Sequence, residues 1–163
     1  MSSETERLAA RVLDACRARK LKLVTAESCT GGLVAGALTE IAGSSDVVDR
    51  GYVTYSNEAK QSELNVPAAV IGAYGAVSKQ TAEVMAQGAL KRSGADLAIA
   101  ITGIAGPGGG SADKPVGLVH FAAATRGRTI HSEQRYGDIG RAEVRAKSVL
   151  QALAMLAELA EAQ

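Results

Sequence analysis

Three side chains in the first half of the chain have the makings of a nucleophile and its activators: Ser45, Tyr55 and Lys60. Serine is a weak nucleophile until a neighbouring base takes its proton, and a neutral lysine is an established partner for that task. Lys60 falls in the first turn of a helix expected to start near Ser56 or Asn57, where a cation opposes the helix dipole. Burial at such a position lowers the lysine pKa and enlarges the neutral fraction that a general base requires. Tyr55 can relay a proton or hydrogen-bond a developing oxyanion. The same spacing also describes a loop serine, a strand tyrosine and a solvated lysine.

A second group of residues points to a small, anionic ligand. Asp96 to Gly110 reads DLAIAITGIAGPGGG, an apolar run from Leu97 to Ile101 followed by Thr102 and glycine at 103, 106, 108, 109 and 110. Ligands of open α/β sheets bind at the carboxyl ends of the strands, and glycine there lets the backbone approach closely. A pocket is therefore expected at Thr102–Gly110, with Gly103 and Gly106 in its wall. The turn Glu27-Ser28-Cys29-Thr30-Gly31-Gly32 joins a strand to a helix, a natural anion site in which Ser28, Thr30, Gly31 and Gly32 are the expected contacts. Ser28 or Thr30 can equally serve as a plain helix cap, and the two roles are compatible. Arg141 and Arg145 lie one turn apart at the start of the last expected helix and suit bidentate binding of phosphate or carboxylate. Two arginines on an exposed face would look identical.

Other chemistries are poorly supplied. No GxxxxGK[ST] is present, and the glycine run misses the dinucleotide fingerprint and leads towards a strand rather than into a helix. The only histidines, His120 and His131, fall inside expected strands and read as partly buried strand residues, so neither a histidine-based triad nor a metal site is indicated. Cys16 reads as a core residue.

The elements that must position these groups follow from periodicity. Residues 4–19 form an amphipathic helix with Ala9, Val12, Leu13 and Cys16 on one face. A strand runs from Leu21 to Ala26, and a helix carrying Val34, Ala37, Leu38 and Ile41 stops at Gly43. A second strand spans roughly 51–55. Residues 65–76 are ambiguous, although Pro67 suits a helix start, and Ser78 caps a helix that runs to about Arg92 and ends at Gly94. After the central strand, Val116 to Ala124 and Thr129 to Arg135 read as two strands able to pair as a hairpin, and Arg141 to Ala162 closes the chain as a helix. The result is an α/β fold with a mixed sheet of about five strands.

The totals agree with one small domain covering residues 1–163. A net charge of +1, no long basic run, four tyrosines, one phenylalanine and no tryptophan argue against a nucleic-acid binder. Two cysteines outside any CxxC, no signal peptide and no long apolar span lead us to expect a reduced, cytoplasmic protein with no membrane partner.

Taken together, TAESCTGG at 25–32, GSS at 43–45, GYVTYSNEAK at 51–60, GAVS at 75–78, ITGIAGPGGG at 101–110 and KPVGLVHFA at 114–122 resemble the CinA C-terminal domain family. The likeness runs from about residue 5 to 160. It implies a three-layer α/β/α sandwich with a mixed, mostly parallel sheet, and hydrolysis of the carboxamide of nicotinamide mononucleotide to nicotinate mononucleotide and ammonia in pyridine-nucleotide salvage. It also implies no metal or organic cofactor, and association into a homo-oligomer, as small relatives often do. Carried over by position, Ser45 matches the nucleophile, Lys60 its base, Tyr55 the neighbouring hydroxyl and Thr102 a substrate contact. Ser44 and Cys29 are the competing nucleophiles. The family segment GDRxxVR reads GDIGRAEVR at 137–145 here, which keeps the spacing of Arg141 and Arg145 but adds residues before them. Two other classes are a nucleotide-binding sensor without turnover and a partner-binding module with a structural glycine loop.

Overall fold

The computed structural model describes residues 2–163. Its order is α1 (Ser3–Ala18), β1 (Leu23–Glu27), α2 (Leu33–Thr39), a 3₁₀ turn (Ser44–Asp46), β2 (Val48–Val53), α3 (Asn57–Leu64), α4 (Ala68–Tyr74), α5 (Lys79–Ser93), β3 (Leu97–Gly103), β4 (Leu118–Thr125), β5 (Arg128–Arg135) and α6 (Arg141–Glu161). The sheet order is β2-β1-β3-β4-β5. β1 pairs in parallel with β2 and β3, and the β4–β5 hairpin is added antiparallel to β3.

Alternation of size, not of polarity, sorts the faces of β3. Leu97, Ile99 and Ile101 pack with α1, α2 and α6, while Ala98 and Ala100 pack with α5. A strand apolar on both faces is what a sheet covered on both sides requires. The small side chains on the α5 face let helices sit close, and Gly88 is the extreme case. A Cβ there would stand 2.0 Å from the Leu64 carbonyl oxygen, so α5 and the end of α3 touch through backbone. That contact seats α3, which carries Lys60.

The ambiguous stretch at 65–76 resolves into α4, starting after Pro67, and Ser78 caps α5 by accepting from the Thr81 N–H at 3.1 Å. β2 begins at Val48, earlier than its apolar pattern suggests. As an edge strand it is largely exposed, so burial did not shape its composition. Among the described residues, no helix is long and apolar enough to cross a membrane.

Candidate active site

β1, β2 and β3 run in one direction, so the residues following each strand meet along one edge of the sheet. Ser28 follows β1 and its N–H donates to the Ile101 carbonyl at 2.9 Å; Thr54 follows β2 and its N–H donates to the Glu27 carbonyl at 2.9 Å. These bonds extend the ladders past the strand ends and hold the ends side by side. α3 then turns back over them, capped by Ser56, whose hydroxyl accepts from the Ala59 N–H at 3.0 Å.

Lys60 points from α3 into this edge and is 2% exposed. Its Nζ donates to Ser28 Oγ at 3.1 Å, to the Thr54 carbonyl at 3.0 Å and to the Tyr55 carbonyl at 3.4 Å. It forms no ion pair among the described residues. Burial without a counter-charge holds its pKa below the ordinary lysine range, only partly opposed by Cys29. Loss of one Nζ proton reverses the contact with Ser28, whose hydroxyl then becomes the donor, the arrangement of a nucleophile facing its base.

A pocket of about 190 Å³ opens over this pair, lined by Ser28, Tyr55, Lys60, Thr102, Gly103 and Arg141 among others. Thr102 is buried in its floor, its hydroxyl donating to the Ala76 carbonyl at 2.8 Å. Tyr55 is exposed at the rim, and its hydroxyl accepts from Arg141 Nη2 at 2.6 Å. Arg141 Nη1 reaches the Gly106 carbonyl of the glycine loop at 2.9 Å, so one guanidinium spans the mouth. A larger cavity of about 610 Å³ is lined by Leu64, Gln87, Lys91, Thr125 and Arg126, with no serine, cysteine or histidine among its lining residues.

Several expectations from the sequence need correction. Ser45 is exposed in the 3₁₀ turn before β2, at the amino-terminal edge of the parallel strands. The length of β2, about 20 Å at 3.3 Å per residue, separates it from Lys60. Ser45 and its neighbour Ser44 thus sit at the wrong end of the sheet, and the serine that Lys60 meets is Ser28. The Thr30–Gly32 turn is not an open anion site either. The N–H groups of Val34 and Ala35 donate to the Glu27 carboxylate at 2.9 and 3.0 Å, and the buried Thr30 hydroxyl donates to it at 2.6 Å. A negative charge already occupies that helix end. Gly31 and Gly32 supply left-handed backbone there, with φ of 56° and 103°. Arg145 turns away from the pocket and braces this turn, donating to the carbonyls of Cys29 at 3.1 Å and Thr30 at 3.4 Å. Arg141, Tyr55, Thr102 and Gly103 do line the pocket, and Gly106 contributes through its carbonyl.

His120 and His131 are strand residues of β4 and β5, as expected, and bond to each other at 2.9 Å from Nδ1 to Nε2. Cys29 borders the pocket, but burial pushes its thiol up to about 12, so the reactive thiolate is scarce at neutral pH. Glu27 and Asn57 were not singled out from the sequence. A carboxylate three residues before Thr30, at the entry to a helix lacking any other acid in its first turn, was a readable sign of Glu27.

Known proteins bear on this geometry. Residues 5–160 match the family model of the CinA C-terminal domain. A CinA-like protein of Synechococcus sp. strain RCC307 is 50% identical over 155 residues, which cover 94% of this chain and 37% of that protein; the chain thus spans a minor part of its longer curated relatives. Nicotinamide-nucleotide amidohydrolase PncC of Enterobacter agglomerans is 51% identical over 123 residues, 75% of each chain. The crystal structure of the competence/damage inducible protein CihA from Agrobacterium tumefaciens superposes with a TM-score of 0.96 at 57% identity, covering 100% of this chain and 98% of that one. With the match running almost from end to end in both sequence and backbone, the chain belongs to the CinA C-terminal domain family.

Proposed function

We propose that this protein hydrolyses the carboxamide of nicotinamide mononucleotide, releasing ammonia and nicotinate mononucleotide, with Ser28 as nucleophile and Lys60 as base. The observation that carries the proposal is the 3.1 Å contact between a buried lysine, without an ion pair among the described residues, and a serine hydroxyl lining the pocket. The amidohydrolase relative supplies the reaction class, and the place of such a reaction is pyridine-nucleotide salvage.

Pocket size supports the choice of a single ring. A cavity of about 150 Å³ holds benzene, so about 190 Å³ takes a pyridine carboxamide but not a whole nucleotide. Ribose and phosphate then lie beyond the mouth, beside Asn57, Tyr55 and Arg141. Arg141 is the phosphate partner. Arg145 is committed to backbone carbonyls, and the start of α2 is closed by Glu27.

In the reaction, neutral Lys60 takes the Ser28 proton as Oγ attacks the carboxamide carbon. The N–H groups of Cys29 and Thr30 make no backbone hydrogen bond among the described residues, and they are the donors left over for the oxyanion. Lys60 returns the proton to the departing nitrogen, ammonia leaves, and Lys60 next deprotonates the water that hydrolyses the ester on Ser28. Activity therefore rises with pH as Lys60 loses its proton, at a pH below that of an ordinary lysine. The test is ammonia release from nicotinamide mononucleotide by the unmodified chain and by Ser28→Ala and Lys60→Ala. Full turnover by either variant overturns the assignment. A bound mononucleotide that survives incubation with the unmodified chain would favour a sensor instead.

A further inference from the structure

A buried carboxylate takes no part in the mechanism above. Glu27 is 0% exposed and lies directly before Ser28 in the chain. Its carboxylate accepts three hydrogen bonds, from the Thr30 hydroxyl at 2.6 Å and from the N–H groups of Val34 and Ala35 at 2.9 and 3.0 Å. Its backbone carbonyl accepts the Thr54 N–H at 2.9 Å, and the Thr54 carbonyl in turn accepts Lys60 Nζ at 3.0 Å. One residue thus grips the loop on the far side of Ser28 with its side chain and the segment that orients Lys60 with its main chain.

We propose that Glu27 is a positioning residue for the reaction, holding the Ser28 hydroxyl and the Lys60 amine in register without touching substrate. Burying a carboxylate is unfavourable unless it is fully hydrogen-bonded, and a neutral cap would serve the short α2 as well. The charged group earns its place by satisfying three donors from one point, which a hydroxyl or an amide cannot do. With Thr30 and α2 fixed to that point, the intervening turn has little freedom, and Ser28 Oγ keeps its line to Nζ. Glutamine at this position has the same shape but one acceptor oxygen, and its amide would face at least one backbone N–H. The turn then relaxes while the pocket wall of Thr102, Gly103 and Arg141 remains.

The proposal rests on the Ser28–Lys60 reading, and its test separates the two. Ammonia release gives kcat and KM, titration with nicotinate mononucleotide gives binding, and the rate of Ser28 phosphonylation by a fluorophosphonate reports nucleophile competence without the natural substrate. In Glu27→Gln, kcat and the phosphonylation rate should fall about 100-fold, the scale for a misplacement near 1 Å, while KM and product affinity stay within about threefold. Thr30→Val removes one of the three bonds and should lower both rates about tenfold on the same scale, again at unchanged KM. Equal rates in Glu27→Gln and the unmodified chain overturn the proposal, as does a fall in kcat matched by lost product binding. Should Glu27→Gln fail to fold, Thr30→Val decides: lowered kcat at unchanged KM supports the role, and full kcat overturns it. If the unmodified chain is phosphonylated at Ser28 yet releases no ammonia, the substrate assignment fails, and the phosphonylation rates alone decide for or against Glu27.

Discussion

The contact between Gly88 and Leu64 makes the placement of Lys60 testable from a distance. An alanine at 88 would bring Cβ to 2.0 Å from a backbone carbonyl oxygen, whereas real Cβ atoms essentially never approach within 3.0 Å. The neighbour is main chain and cannot rotate away, so the end of α3 must retreat by about 1 Å in a close-packed interior. Lys60 lies one turn back on the same helix, and its carbonyl also holds Val66 at 3.2 Å, so the shift carries to its amine. A 1 Å displacement at a reacting pair costs about 100-fold in rate. Overpacking costs up to about 3 kcal/mol, and the helix propensity of alanine returns about 1 kcal/mol. The net loss of about 2 kcal/mol lowers the melting temperature by about 4–8 °C for a chain of this length.

The assay is thermal melting paired with ammonia release, and the control is the same substitution at Gly36. That glycine lies in α2 with nothing within 4 Å of an added Cβ, so alanine there should raise stability by about 0.5–1 kcal/mol and leave the rate intact. Gly88→Ala melting and turning over like the unmodified chain would refute the claim that the α3–α5 contact sets the lysine.

Ser28→Ala should lose about 10⁴-fold or more in kcat, as removal of a serine nucleophile does, whereas the exposed Ser45→Ala should keep full ammonia release. Lys60→Met should abolish turnover yet melt higher at pH 7. Lys60 has a folded pKa below its unfolded value, so protonation costs stability as pH falls, and the advantage of methionine should shrink as the buffer approaches pH 10. The His120–His131 pair has depressed pKa values through burial, and for His120 through its partner as well; the folded state therefore resists protonation. Stability should fall as pH drops below about 6.5, the unfolded value, and His131→Gln should flatten that decline between pH 6.5 and 5 in a melting series. Arg141→Ala should raise KM for the mononucleotide by about tenfold or more, the worth of a charged hydrogen bond, with free nicotinamide unaffected in the same assay.

The fold was legible because its signals are local. Ser56 and Ser78 are N-caps where a hydroxyl meets the third following N–H, and Gly94 ends α5 in the left-handed region. The hairpin of β4 and β5 announced itself through two apolar runs joined by Arg126-Gly127-Arg128. The start of β2 was not legible, because an edge strand exposed on most positions carries no hydrophobic pattern to find. Lys60 was legible for a chemical reason. A cation facing the positive end of a helix dipole has no structural justification, and its burial explains why it is tolerated there.

The choice of serine shows where a reading by chain position fails. Ser45 and Lys60 flank one strand; their spacing alone left a loop serine and a solvated lysine open, and the match by position to the family favoured Ser45. A strand is a rod, however, and residues at its two ends are kept apart by its whole length. A partner for a group that follows one parallel strand must itself follow a strand of the same direction, because only carboxyl ends share an edge. Ser28 after β1 and Thr102 at the close of β3 satisfy that rule; Ser44 and Ser45, before β2, cannot. The anion site failed for a different reason. A helix start attracts negative charge, but here the charge comes from within the chain, since Glu27 reaches it first. With that end neutralised and Arg145 bonded to the turn, the attraction for a phosphate shifts to the one guanidinium bridging the mouth. Both of its present partners, a tyrosine hydroxyl and a glycine carbonyl, are neutral and weaker than a phosphate oxygen. Arg141 can therefore exchange them for the substrate, which is the physical basis for expecting the nucleotide to be preferred over the free amide.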